Sequence, residues 1–102
     1  MPVTDEAVKA LAGVKQLTRL TLNSTKVTDA GLAHLKGLTA LEWLSLQNTA
    51  VSDAGLKELG GLKRLTRLQL DKTAVTQEGV DRLRKALPRT DVSAAHLAPQ
   101  KN

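Results

Sequence analysis

The 102-residue sequence predicts an α/β solenoid: a right-handed coil of short turns, with a narrow parallel sheet on one face and helices on the other. Two observations carry this. The stretch Leu41 to Arg64 finds itself again when slid by twenty-four residues in either direction, and 12 of 24 positions are identical between the units that start at Leu17 and Leu41. Within each unit the apolar spacing switches from two to about three and a half, so every unit holds one strand and one helix.

The chain opens with the second half of a unit. Val3, Thr4, Asp5, Val8, Leu11, Gly13 and Val14 stand twenty-four before Val27, Thr28, Asp29, Leu32, Leu35, Gly37 and Leu38. Residues 1–16 are therefore a half-unit, followed by full units at 17–40, 41–64 and 65–88. Val92 falls where Leu68 falls one turn earlier, which predicts a terminal strand within 89–93. About three and a half units make one domain over 1–93, and 94–102 is a tail.

The segments RLTLN, WLSLQ and RLQLD alternate with period two and predict strands at 19–23, 43–47 and 67–71. Thr4, Thr28, Ser52 and Thr76 then stand where a helix needs an N-cap, and Asp29 and Asp53 follow in the first turn, where the helix dipole favours negative charge. Val27 with Leu32, Val51 with Leu56, Val75 with Val80 and Val3 with Val8 have the spacing of a hydrophobic staple. Gly13, Gly37 and Gly61 lie where a left-handed residue could end each helix. The last unit has Lys85 there, so its helix is expected to run to about Leu87 and stop at Pro88.

The LxxLxL pattern followed by a helical return resembles the leucine-rich-repeat proteins. More narrowly, the TxVTDAGLxxLxxL stretches are similar to a bacterial class of twenty-four-residue repeats abundant in planctomycete-type proteins, and LRKALP with a final short strand is similar to the ends of such arrays. The likeness covers roughly residues 3–93. It implies a solenoid that acts as a scaffold for protein binding. Many such repeats place Asn where this chain has Thr25, Thr49 and Thr73, so a weaker polar ladder between turns is expected from the hydroxyls. Gly31, Gly55 and Gly79 sit inside helices at a cost of about 1 kcal/mol each relative to Ala, for which close approach of neighbouring turns is the expected return.

If the leucines at 20, 22, 44, 46, 68 and 70 point inward, the residues between them face out in three columns. These run Arg19, Trp43, Arg67, Asp91; Thr21, Ser45, Gln69, Ser93; and Asn23, Gln47, Asp71, Ala95. Strands about 4.8 Å apart place Trp43, the sole aromatic residue, between two arginines. Trp and Arg are enriched at binding hot spots, and guanidinium groups also cover an indole by simple packing. The candidate protein-binding face comprises Arg19, Thr21, Trp43, Ser45, Gln47, Arg67, Gln69 and Asp71. Four strands span about 15–20 Å, so the face is a few hundred Å² against the roughly 800 Å² per partner of a standard interface. The face is therefore expected to bind a short peptide or loop, to work together with the edges of the sheet, or to belong to an array that continues beyond these residues.

Other functions find less support. There is no cysteine, hence no disulfide, thiolate ligand or thiol nucleophile. His34 and His96 lack partners at metal-ligand spacing, and Ser24, Ser45, Ser52 and Ser93 lie in no nucleophile motif. Glu42, Asp71 and Asp91 would need a cleft to shift a pKa for acid–base work, which an open sheet does not provide. No catalysis, cofactor or metal is expected. Fifteen Lys and Arg against ten Asp and Glu give a charge of +5, with ten of the basic residues in 52–102. That permits a weak phosphate or nucleic-acid contact through Lys63, Arg64, Arg67, Arg82, Arg84, Lys85 and Arg89, but one aromatic gives no stacking platform, and nucleic acid is not the expected partner. The remaining alternative is self-association, including a homodimer, through the open edges of the coil. No apolar run has membrane-spanning length and the first residues lack a signal profile, so a cytoplasmic location is expected.

Overall fold

A computed structural model of the chain describes residues 4–95. Helices and strands alternate as α1 (Asp5–Leu11), β1 (Arg19–Thr21), α2 (Asp29–Leu35), β2 (Trp43–Ser45), α3 (Asp53–Leu59), β3 (Arg67–Gln69), α4 (Gln77–Ala86) and β4 (Asp91–Ser93). The strands form one parallel sheet in the order β1-β2-β3-β4. Parallel neighbours joined through a helix give a right-handed coil with all helices on one face. The register pairs Leu20 with Leu44, Leu44 with Leu68 and Leu68 with Val92, a step of twenty-four at each join. Between sheet and helices lies a core of Leu and Val alone, including the staple pairs Val27 with Leu32, Val51 with Leu56 and Val75 with Val80. Val3, the first half of the fourth staple, lies outside the described residues, as do His96 and the rest of the tail beyond Ala95.

Two expectations about the elements need correction. The strands are three residues long instead of five, although Leu22, Leu46 and Leu70 still donate to Ser45, Gln69 and Ser93. Just beyond, Ser24, Asn48 and Lys72 take φ of 57°, 57° and 59°, which bends the chain off the sheet toward the helices. These are the left-handed positions of each turn. Gly13, Gly37 and Gly61 are not, because no glycine has positive φ. The seven-residue helices end at Ala12, Lys36 and Gly60 in right-handed geometry. Val14, Leu38 and Leu62 then donate to Leu11, Leu35 and Leu59, and Leu17, Leu41 and Leu65 to Val14, Leu38 and Leu62, so two tight turns in succession lead toward the next strand. As expected, α4 is longer and ends with Leu87 as its C-cap, before Pro88.

A β-branched residue resists the left-handed region, where Asn is tolerated. Asn48→Val is therefore expected to cost about 2 kcal/mol, and Asn48→Gly to be close to neutral. The midpoint of urea unfolding checks both.

The polar ladder also differs from expectation. Thr25, Thr49 and Thr73 do not reach neighbouring turns; each hydroxyl donates at 2.8 Å to a carbonyl of its own turn, Leu22, Leu46 or Leu70. The bonds between turns come from the aspartates. Asp5 accepts the Thr28 N–H at 2.8 Å and the Thr28 hydroxyl at 2.6 Å. Asp29 accepts the N–H and hydroxyl of Ser52 at 2.6 and 2.5 Å, and Asp53 those of Thr76 at 2.8 and 2.5 Å. Thr28 and Thr76 also accept from Ala30 and Gly79 as N-caps, whereas Thr4 and Ser52 make no side-chain cap bond.

This clamp explains the helical glycines. A Cβ on Gly31 would stand 2.5 Å from Asp5 Oδ1. On Gly55 it would meet the Asp29 carboxylate and come within 2.8 Å of Leu32 Cδ1, and on Gly79 it would run into Asp53. Close approach of turns is thus an approach of carboxylate to helix backbone, repeated three times.

Candidate protein-interaction surface

The inward leucines fix the outward residues. Leu44, Leu46, Leu68 and Leu70 are fully buried, so β2 and β3 are pinned from below and their alternate side chains project from a rigid base. The register places Arg19 opposite Trp43, Trp43 opposite Arg67, and Arg67 opposite Asp91. Trp43 is half-buried and both arginines are exposed. The Arg19 guanidinium lies 5.4 Å from the centre of the indole, a cation–π contact worth about 0.5–1 kcal/mol at an exposed site. Among the described residues this ring contact is made by Arg19 and not by Arg67. Arg67 instead lines a shallow depression beside the indole together with Glu42, Thr66 and Gln69.

Glu42 and Thr66 were not among the expected contacts. They belong to a fourth column, Thr18, Glu42, Thr66, Thr90, one residue ahead of the arginines and tryptophan. The twenty-four-residue register contains that column, but its position at the strand start conceals that it lines the same depression. Backbone bonds hold it in place: Glu42 N–H donates to Thr18 O, and Thr66 donates to Glu42 O through both its N–H and its hydroxyl.

The second and third columns are largely engaged with one another. Ser45 is 1% exposed, which removes it from the accessible face. Asn23 and Gln69 cover it, with Asn23 Oδ1 and Gln69 Oε1 at 2.6 and 2.8 Å from its hydroxyl. One hydroxyl proton cannot serve two acceptors fully; with the Gln69 amide turned over, its nitrogen donates and both contacts are satisfied. Asn23 Oδ1 also accepts the Gln47 N–H at 2.9 Å, and the Gln47 amide donates to Asp71 at 3.0 Å. Asp71 further accepts the Ser93 hydroxyl at 3.0 Å and the Ala95 N–H at 2.5 Å. Gln47, Gln69 and Asp71 are thus half-buried members of a hydrogen-bonded net. Thr21 is exposed at the β1 edge.

The basic residues do not form a comparable surface. Lys63 donates to Ala86 O at 3.0 Å, Arg82 pairs with Glu78 at 2.6 Å, and Arg84 reaches Val92 O at 3.3 Å and Asp81 at 3.9 Å. Three of the seven cations expected for phosphate are occupied within the protein. His34 is half-buried on α2. Among the described residues, no helix is long and apolar enough to cross a membrane.

These features define a short solenoid that displays one tryptophan on a polar sheet. Residues 15–75 match the family model described as leucine rich repeat, and the chain belongs to that family. Its fold is similar to that of an internalin C2 from Listeria monocytogenes, at 30% identity and a TM-score of 0.58, over 83% of this chain and 44% of the internalin. The Mex67:Mtr2 subunits of Chaetomium are similar at 16% identity and a TM-score of 0.63, over 96% of this chain and 71% of theirs. A Listeria monocytogenes internalin F is similar at 19% identity and a TM-score of 0.56, over 89% and 33%. The chain therefore spans less than half the length of either internalin. No curated protein matches it. Leucine-rich repeats are general protein-interaction modules and typically carry no enzymatic activity.

Proposed function

We propose that the chain is a non-catalytic module that binds a peptide or loop of a partner protein across its strand face, with Trp43 and the flanking Arg19 and Arg67 as the central contacts. The observation that carries this reading is the half-buried indole held beneath Arg19 on a face whose other central side chains are bonded to one another. Arg67 has no ion-pair partner among the described residues and sits at the depression beside the ring, which favours a ligand with an apolar side chain next to a carboxylate.

Panning of a displayed peptide library on the wild-type protein, counter-selected on Trp43→Ala, tests this. Expected are apolar–acidic peptides that are retained by wild type alone and shift the Trp43 fluorescence, since Trp43 is the sole tryptophan. Retention of the same peptides by Trp43→Ala would overturn the reading. A second reading, self-association through an open end of the coil, is favoured by one observation: Val14 is 45% exposed, whereas its counterparts Leu38 and Leu62 are fully buried.

A further inference from the structure

The joins between neighbouring helices are not alike. Between α2 and α3 the outer space is filled: Lys36 reaches across to Glu58 at 3.8 Å, and Leu62, just past the end of α3, is fully buried. One repeat later each of these residues is changed. Gly60 stands for Lys36, Arg82 for Glu58 and Ala86 for Leu62. A long aliphatic arm and most of a leucine side chain are thereby missing, and a groove of about 240 Å³ opens between α3 and α4, with Leu56 and Leu83 in its lining. It is larger than the roughly 150 Å³ cavity that holds a benzene molecule.

Packing does not demand this gap. A Cβ on Gly79 would run into Asp53, but one on Gly60 would make only ordinary contacts, 3.6 Å from Lys57 O and 3.7 Å from Ala86 Cβ. Gly60 is also right-handed, with φ of −63°, so the fold needs no glycine there. A side chain at position 60 would close the groove; its absence keeps the groove open.

The charges differ as well. Lys57, where α2 has Ala33, lines the groove from α3, and Arg82 lines it from α4. Both are exposed. The Lys57 ammonium forms no ion pair among the described residues, and Arg82 gives one guanidinium nitrogen to Glu78, leaving its other donors open. Two cations thus flank an apolar groove, where the preceding join pairs a cation with Glu58. The acid in the lining, Asp53, stands at the N-terminal end of α3 with both oxygens engaged by Thr76. An anion is repelled from that end and drawn between Lys57 and Arg82.

We propose that this groove binds a free medium-chain alkanoate, its carboxylate between Lys57 and Arg82 and its hydrocarbon along Leu56 and Leu83 toward Gly60 and Ala86. An apolar lining with a few convergent polar groups is the character of a small-molecule site. The site lies on the helix side of the sheet, away from Trp43, and is independent of the strand-face reading.

Calorimetric titration of the full chain with hexanoate, octanoate, decanoate and dodecanoate tests this. Expected is one saturable site whose affinity rises about two- to fourfold per methylene until the groove is full, reaching a Kd of about 0.01–1 mM. Trp43→Ala should bind decanoate as wild type does. Gly60→Leu should lose about tenfold or more in affinity while unfolding at higher urea, because it fills the groove and replaces a helical glycine. Lys57→Glu should lose as much and Lys57→Arg should keep binding; decylammonium should bind about tenfold or more weakly than decanoate. Affinity indifferent to chain length or to Gly60→Leu would overturn the site. Decylammonium held as tightly as decanoate would overturn the role of the two cations, and decanoate binding lost in Trp43→Ala would place the ligand on the strand face instead. No uptake of any alkanoate at about 10 mM would overturn the proposal outright.

Discussion

Asp29→Ala and Gly55→Ala are each expected to destabilise the protein by about 2–3 kcal/mol, and the two together by little more than one. The aspartate variant removes two charge-assisted bonds and leaves the part-buried Ser52 N–H without an acceptor. The glycine variant should gain about 1 kcal/mol from helix propensity, but its Cβ meets the Asp29 carboxylate and crowds Leu32. To fit it, the carboxylate must leave Ser52, so the loss is the same loss. Once Asp29 is alanine, Leu32 Cδ1 at 2.8 Å is the close contact that remains, and part of the propensity gain returns. Urea unfolding followed by Trp43 fluorescence should therefore give a coupling of roughly 2 kcal/mol or more in the double-mutant cycle. Gly61→Ala is the control: nothing lies within 4 Å of its Cβ and its φ is not left-handed, so its effect should stay within about 0.5 kcal/mol. Additive losses at positions 29 and 55 would show that clamp and glycine are unrelated.

The same clamp marks the limit of what could be read from the sequence. Repetition at twenty-four residues was enough for the element order, the strand register and the fully buried leucines, because a residue that recurs at one phase must meet the same neighbours in every turn. Leu44 against Leu68 and Leu68 against Val92 needed nothing further. Contacts between phases were not readable. Asp29 has a sufficient local explanation in the helix dipole, and Thr28 and Ser52 in capping, so nothing local signals that Asp29 reaches across 23 residues to Ser52. The expected left-handed glycines failed for a related reason. A glycine after a helix suits two geometries, and the two successive tight turns that lead toward the next strand use the right-handed one. On the strand face, alternation showed which side chains point outward but not which of them turn to one another, and Ser45 is buried by its neighbours' amides instead of by the core.

Adjacent residues on β2 are expected to show opposite phenotypes. Leu44 is fully buried at the centre of the core, and Leu44→Ala should cost about 2–5 kcal/mol, depending on how far the neighbouring turns can collapse into the space. That approaches the whole stability of a small domain, so the variant should be partly unfolded near room temperature. Trp43, one residue earlier, is half-buried on the opposite face and rests on Arg19, so Trp43→Ala loses some packing and a weak cation–π contact, about 1 kcal/mol. A large, half-buried aromatic that does so little for the fold is available to a partner. If peptides recovered by panning seat against it, Trp43→Ala should weaken them by about 10- to 100-fold, the loss of 1.4–2.8 kcal/mol typical of a hot-spot residue. Arg67→Ala should follow with a smaller loss that is greatest for acidic peptides and fades as salt rises, because its charge is exposed and screened. Titration of each folded variant, with stability measured on the same samples, separates the two roles. A Trp43→Ala variant that binds normally, or one that unfolds as Leu44→Ala does, would assign the indole to packing and remove it from the interface.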